Sequence, residues 1–173
     1  MFFMATPAHS TFPPRDHDHG ECVAGALDRA RQRCIERGIK WTALRERIFS
    51  ALAVSHRPVS AYDLIENLAK GGKRMAPVSI YRILDVLQSA GLVHRLESRN
   101  AFFACLTEHE KAAQTIVFLC EGCERVGEAP ASEALNAISK TTEAEGFAVR
   151  HTVLEVTGVC GECRGSAPVR PPC

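Results

Sequence analysis

The chain has 173 residues, eight cysteines, seven histidines and a net charge of +1. No stretch reaches the roughly 20 apolar residues that a membrane helix needs, and prolines break the apolar start MFFMATPAHSTFPPRD, which has no basic leader and reads as no export signal. Cysteines in this number without a leader point to a reducing, cytoplasmic setting, where paired cysteines bind metal or do redox work more often than they form structural disulfides.

The near-neutral total hides a division. Residues 24–100 hold fourteen Lys/Arg against seven Asp/Glu, a charge of +7, while residues 101–173 hold six against ten, a charge of −4. The basic half suits a polyanion, and the acidic half has another task.

In chain order, residues 1–23 read as a flexible tail that includes His17, His19 and Cys22. Residues 24–38 form an Arg-rich helix ending near Gly38. Thr42 caps TALRERIFSALAVS, whose stripe is Leu44, Ile48 and Leu52. Ser60 and Asp63 have capping-box spacing ahead of Leu64, Ile65 and Leu68, and Gly71-Gly72 stops that helix. The next helix has Pro77 in its first turn, Ile80, Ile83, Leu84 and Leu87 inward, and Gly91 after its end. LVHRLE and AFFAC then flank SRN as a hairpin.

Helices followed by a hairpin describe a winged helix-turn-helix over residues 24–105, with its last helix in the major groove of double-stranded DNA and its hairpin along the backbone. The apolar stripe of that helix leaves Ser79, Tyr81 and Arg82 outward. Arg82 suits a guanine edge, and Ser79 and Tyr81 suit phosphate or a thymine methyl. A solvated helix face is the plain alternative for any one of them.

Residues 106–163 read as strand TIVFLC, strand ERVGEA, a helix with Ala131, Leu135 and Ile138 inward, and a long strand FAVRHTVLEVTGVC. So small a sheet with one helix is thin, and a second copy would complete its core as a homodimer. Residues 164–173 read as a disordered tail. The fold class is α+β: an N-terminal winged helix-turn-helix followed by a small α/β dimerisation domain with a four-cysteine zinc site.

Cys120, Cys123, Cys160 and Cys163 form two CxxC pairs separated by 36 residues. Two knuckles giving two thiolates each satisfy tetrahedral zinc. A strand-helix-strand insert accounts for a spacing longer than that of a simple zinc ribbon. A redox couple would need only one CxxC, placed at a helix start, and remains the alternative.

A second, less closed set lies where the halves meet. A hairpin turning about Arg99-Asn100 would set His94 directly opposite Cys105, with His109 and Glu128 near enough in sequence to complete a nitrogen, sulfur and oxygen set for zinc that fills and empties. Taken singly, Cys105 also reads as a small buried hydrophobe, His94 as a phosphate contact, and His109 and Glu128 as solvated charges. A metal hydrolase would find only Glu128 as its base and no nucleophile, so the chain does not read as an enzyme.

The segments WTALRERIFSAL, VSAYDLIENL, APVSIYRILDVLQSAGLVHRLESRNAFFAC and the paired knuckles resemble the ferric uptake regulator family of bacterial metal-responsive repressors, across residues 24–163. Its zinc-sensing members are the most similar, since Cys105 is present and the His-rich run that iron and peroxide sensors carry before the first knuckle is absent from EKAAQTIVFLC. The resemblance implies a homodimer that binds an AT-rich palindrome when loaded with zinc and shuts off zinc-uptake genes. It implies structural zinc on the four knuckle cysteines and a DNA surface at Arg45, Tyr62, Tyr81 and Arg82. It also implies regulatory zinc at His94, Cys105 and Glu128. The family's fourth ligand position is Ala113 here, and His109 is the nearest substitute.

Overall fold

The computed structural model describes residues 11–12, 18–70, 75–105 and 115–165. Helix α1 spans His19–Glu36 and begins five residues before the expected Ala24. Asp18 is the cause: its carboxylate accepts from the backbone N–H groups of Gly20 at 2.8 Å and Glu21 at 3.2 Å. His19 and Cys22 therefore belong to a helix and not to a free tail, while His17 lies outside the described residues. Ala26, Ala30 and Cys34 face the core, and burial raises the Cys34 thiol pKa against the lowering pull of Arg45 and Arg37.

Helix α2 (Ala43–Ala53) is capped by Thr42, and α3 (Ala61–Ala69) by Ser60, whose hydroxyl accepts from the Asp63 N–H at 3.1 Å. Helix α4 (Pro77–Ser89) starts on its proline. The expected stripes meet: Ile48 and Leu52 of α2, Leu64, Ile65 and Leu68 of α3, and Ile80, Leu84 and Leu87 of α4 are buried in one cluster. Arg33 of α1 and Arg37 at its C-cap grip the C-terminal end of α4, Arg37 donating to the Ser89 carbonyl and Arg33 to that of Gly91, both at 2.8 Å. Cations there complement the negative end of the helix dipole and hold α4 in place.

A two-residue strand unseen in the sequence, β1 (Val59–Ser60), joins β2 (Val93–Leu96) and β3 (Ala101–Ala104) in an antiparallel sheet of order β1-β3-β2. The hairpin register differs from expectation by two residues. His94 pairs with Phe103 and Val93 with Ala104, because residues 97–99 form a 3-10 turn and Asn100 takes φ 47. Cys105 falls opposite Leu92, its N–H donating to the Leu92 carbonyl at 2.9 Å. An even shift keeps His94 and Cys105 on the same face of the ribbon.

All four residues of β3 are buried. Phe102 and Ala104 enter the helical core, whereas Phe103 and Leu96 join Val117, Leu119 and Val126 in a second cluster. The latter three lie on β4 (Thr115–Cys120) and β5 (Val126–Pro130). The wing is therefore packed between the two halves, and only its turn and Arg95 are open to solvent.

The second sheet has order β5-β4-β6, with β4 antiparallel to β5 and parallel to β6 (Glu155–Gly158). The long last strand expected from FAVRHTVLEVTGVC shrinks to these four residues, and positions 147–154 carry no regular structure. Phe147, Val149, Val153 and Val156 are exposed. Helix α5 (Ser132–Ala144) follows Ala131, which is buried, but Leu135 and Ile138 are only half-buried. A short helix α6 (Gly161–Arg164) ends the described chain.

Candidate metal centres and nucleic-acid face

Parallel pairing of β4 with β6 sets Cys120 beside Gly158, so both strands deliver their C-terminal ends to the same place. Cys120 ends β4, Cys160 lies just past β6, and Cys123 and Cys163 follow one turn later on each side. The four sulfurs lie within 4.8 Å of one another. The Cys160 N–H donates to the Cys120 sulfur at 3.3 Å, tying one knuckle to the other. Gly122 keeps the first turn uncrowded, since a Cβ there would stand 3.0 Å from the Cys163 sulfur. Phe12 packs against this cluster from the N-terminal segment.

Arg125 is buried and donates from Nε to the Cys123 sulfur at 3.4 Å, while its other end pairs with Glu162 between Gly161 and Cys163. Burial pushes the Cys123 thiol up, yet the Arg125 hydrogen bond, the backbone N–H and the neighbouring thiols overcome it and hold its pKa at about 6. Burial and hydrogen bonding to the other cysteines push Cys163 up to about 12. Four crowded sulfurs cannot all ionise without a compensating cation. Sulfur donors in two closely packed knuckles fit zinc.

The second set crosses between the halves. His94 on β2, Cys105 just after β3 and Glu128 on β5 bring their ligand atoms within 4.8 Å of one another. His94 Nε2 stands 3.1 Å from Glu128 Oε1, and the Glu128 side chain is only 6 % exposed. Cys105 is buried, and the His94 ring lies 5.5 Å from that of Phe103. Imidazole, thiolate and carboxylate from three separate elements fit zinc with a place left over. His109 and Ala113 lie outside the described residues.

On the helical side, Tyr62 in the first turn of α3 is 70 % exposed. Arg82 is exposed on α4, and Ser79 and Tyr81 are half-buried. The Tyr81 ring meets Phe102 edge-on at 6.4 Å, so it packs on the core margin as well as facing out. Arg45, half-buried in the first turn of α2, donates to the Lys40 carbonyl.

The sequence reading passed over Arg125 and His56. A basic residue two positions after the first CxxC pair was the available signal for Arg125. His56 is buried in the α2–β1 loop with its ring 5.3 Å from His19, a contact made only because α1 starts early. His151 is exposed and lines a cavity of about 180 Å³ with Glu97 and Glu155, away from the donor trio.

A winged helix joined to a small metal-type α/β body defines a class of protein, and similarity gives it a family. Residues 36–157 match the ferric uptake regulator family, and the chain belongs to it. The zinc uptake regulation protein of Escherichia coli (strain K12) is 33 % identical over 138 residues, 79 % of this chain and 80 % of that protein. A solved zinc uptake regulator complexed with zinc and DNA superposes with TM-score 0.75 at 28 % identity, covering 83 % of this chain and 96 % of that one. A structure of holo XcZur gives TM-score 0.68 at 31 % identity, covering 86 % and 99 %.

Proposed function

We propose that the chain is a zinc-responsive DNA-binding transcriptional repressor of zinc-uptake genes, gripping its operator as a zinc-loaded homodimer. The observation that carries this reading is the convergence of His94, Cys105 and Glu128 across the two halves, directly behind the wing. Family membership and similarity to the zinc uptake regulators support it.

In this reading Cys120, Cys123, Cys160 and Cys163 hold structural zinc, and His94, Cys105 and Glu128 hold regulatory zinc with His109 as the fourth ligand. Bound zinc supplies a Lewis-acidic cross-link for imidazole, thiolate and carboxylate. The protein supplies the lever. His94 leaves the wing strand, Glu128 leaves β5, and Cys105 opens the linker, so drawing the three together fixes the wing against the second sheet. Helix α4 moves with the wing through their shared core. In a dimer, that restraint sets the spacing of two reading helices along a palindrome. A modest coupling suffices, since about 1.4 kcal/mol is tenfold in affinity.

Arg82 reads a base edge, and Arg45, Tyr62, Ser79 and Tyr81 meet the phosphates and groove around it. A second copy covers Phe147, Val149, Val153 and Val156 beside α5. The alternative is a family member that senses iron, manganese or peroxide, and the thiol and imidazole donors favour zinc over manganese or iron. Gel shifts with buffered zinc, iron and manganese test the choice: zinc is expected to promote DNA binding at the lowest free concentration, and a preference for either other metal contradicts it.

A further inference from the structure

The two halves are also joined by contacts that involve none of the three hinge donors. We propose that Glu124 and Glu155 form an acidic clamp on the wing turn that positions the reading helix against the metal-bearing half. The inference rests on the DNA-binding reading above.

Glu124 leaves the first knuckle with φ 60, a conformation that glycine adopts freely and a side chain adopts at a cost. Its N–H closes the knuckle on the Cys120 carbonyl at 2.7 Å. The carboxylate then reaches into the basic half, 3.9 Å from Arg57 in the α2–β1 loop and 3.7 Å from Arg99 in the wing turn. Two residues on, the Val126 N–H donates to the His56 carbonyl at 2.8 Å, a backbone bond between the halves.

From the other flank, the Glu155 carboxylate accepts from the backbone N–H of Glu97 at 2.5 Å and of Ser98 at 3.1 Å. One glutamate thus takes the amides of the turn and the other takes its arginine. The turn joins Leu96 to Ala101, both buried, so what holds the turn also holds the two wing strands. A carboxylate at a glycine-favouring position, facing two arginines of the other half, gives Glu124 a role beyond closing the knuckle.

The test uses the full-length zinc-loaded protein and a duplex that the wild type has selected from a random pool. Glu124→Gln removes the charge and keeps the backbone, Glu124→Gly removes the charge and suits the φ, and Glu155→Gln weakens the amide contacts. Each variant is expected to bind the duplex roughly 1.4- to fivefold more weakly, the range for loss of exposed ion pairs. Zinc content should stay at the wild-type value, and Glu124→Gly should melt no lower than the wild type. A loss of affinity without a loss of stability is what a packing defect would not give. Hydrogen exchange at the Val126 amide should quicken in both Glu124 variants. Duplex binding at wild-type strength or tighter in Glu124→Gln and Glu155→Gln overturns the clamp. If the wild type selects no duplex, the DNA-binding reading fails instead, and unchanged exchange at Val126 then overturns the clamp by itself.

Discussion

His94 Nε2 lies 3.1 Å from Glu128 Oε1, joining a wing strand of the first half to the central sheet of the second. Cys105 brings its sulfur into the same space from the start of the linker. In the proposed function these three residues carry metal availability to the reading helix. Cys105→Ser should leave the fold and the four-cysteine metal in place but remove most of the zinc dependence of DNA binding. Titration of zinc against duplex affinity checks it; an unaltered dependence takes Cys105 out of the mechanism.

Gly122→Ala tests the other centre. The added methyl would lie 3.0 Å from the Cys163 sulfur and 3.1 Å from its Cβ, closer than the knuckle can accept without shifting. The variant should lose zinc to a chelator faster than wild type and melt at a lower temperature, because metal binding at such a site is part of the folding free energy. Elemental analysis after timed chelation measures the effect.

Arg82→Ala should weaken binding to the specific duplex by about 1–3 kcal/mol and relax base preference at one position. Equal losses on specific and random DNA would make Arg82 a phosphate contact only. Competition gel shifts separate the outcomes.

An acid transition should be visible at Trp41, the sole tryptophan. Its indole N–H donates to Glu46 at 2.8 Å, and Arg31 donates to the same carboxylate at 2.9 Å. These bonds, Trp41 first, lower the Glu46 pKa below its ordinary 4.5. A depressed carboxylate pKa stabilises the folded state above the unfolded value, and the contribution is lost as pH falls through the folded value. Acid titration followed by tryptophan fluorescence should show a step below pH 4.5 that Glu46→Gln abolishes.

Much of this architecture was legible because local signals agreed. Thr42, Ser60 and Pro77 sit where helices start, and the stripes through Ile48, Leu64 and Leu84 point to one core. What escaped the sequence was set by tertiary structure. The run AFFAC shows no alternation because β3 is buried on both faces by different halves, so periodicity could not fix its register. His94 and Cys105 were paired across the hairpin through a register that the Glu97–Arg99 turn shifts by two, yet parity kept them on one face. The last strand was overextended because Phe147, Val149 and Val153 look like a strand pattern but pair with no strand among the described residues and are exposed. The early start of α1 turned on a single cap, Asp18, set among other polar residues.

The central claim is that the hinge donors convert zinc binding into DNA affinity while the knuckles keep their own metal. Its most direct measurement is duplex affinity across buffered free zinc, with bound zinc per chain determined at every point. Affinity should collapse as the count falls from two to one, with the fold intact, since the described residues of each chain offer one four-cysteine set and one hinge set. Protein that still grips its duplex at full strength with only the knuckle zinc would contradict the account.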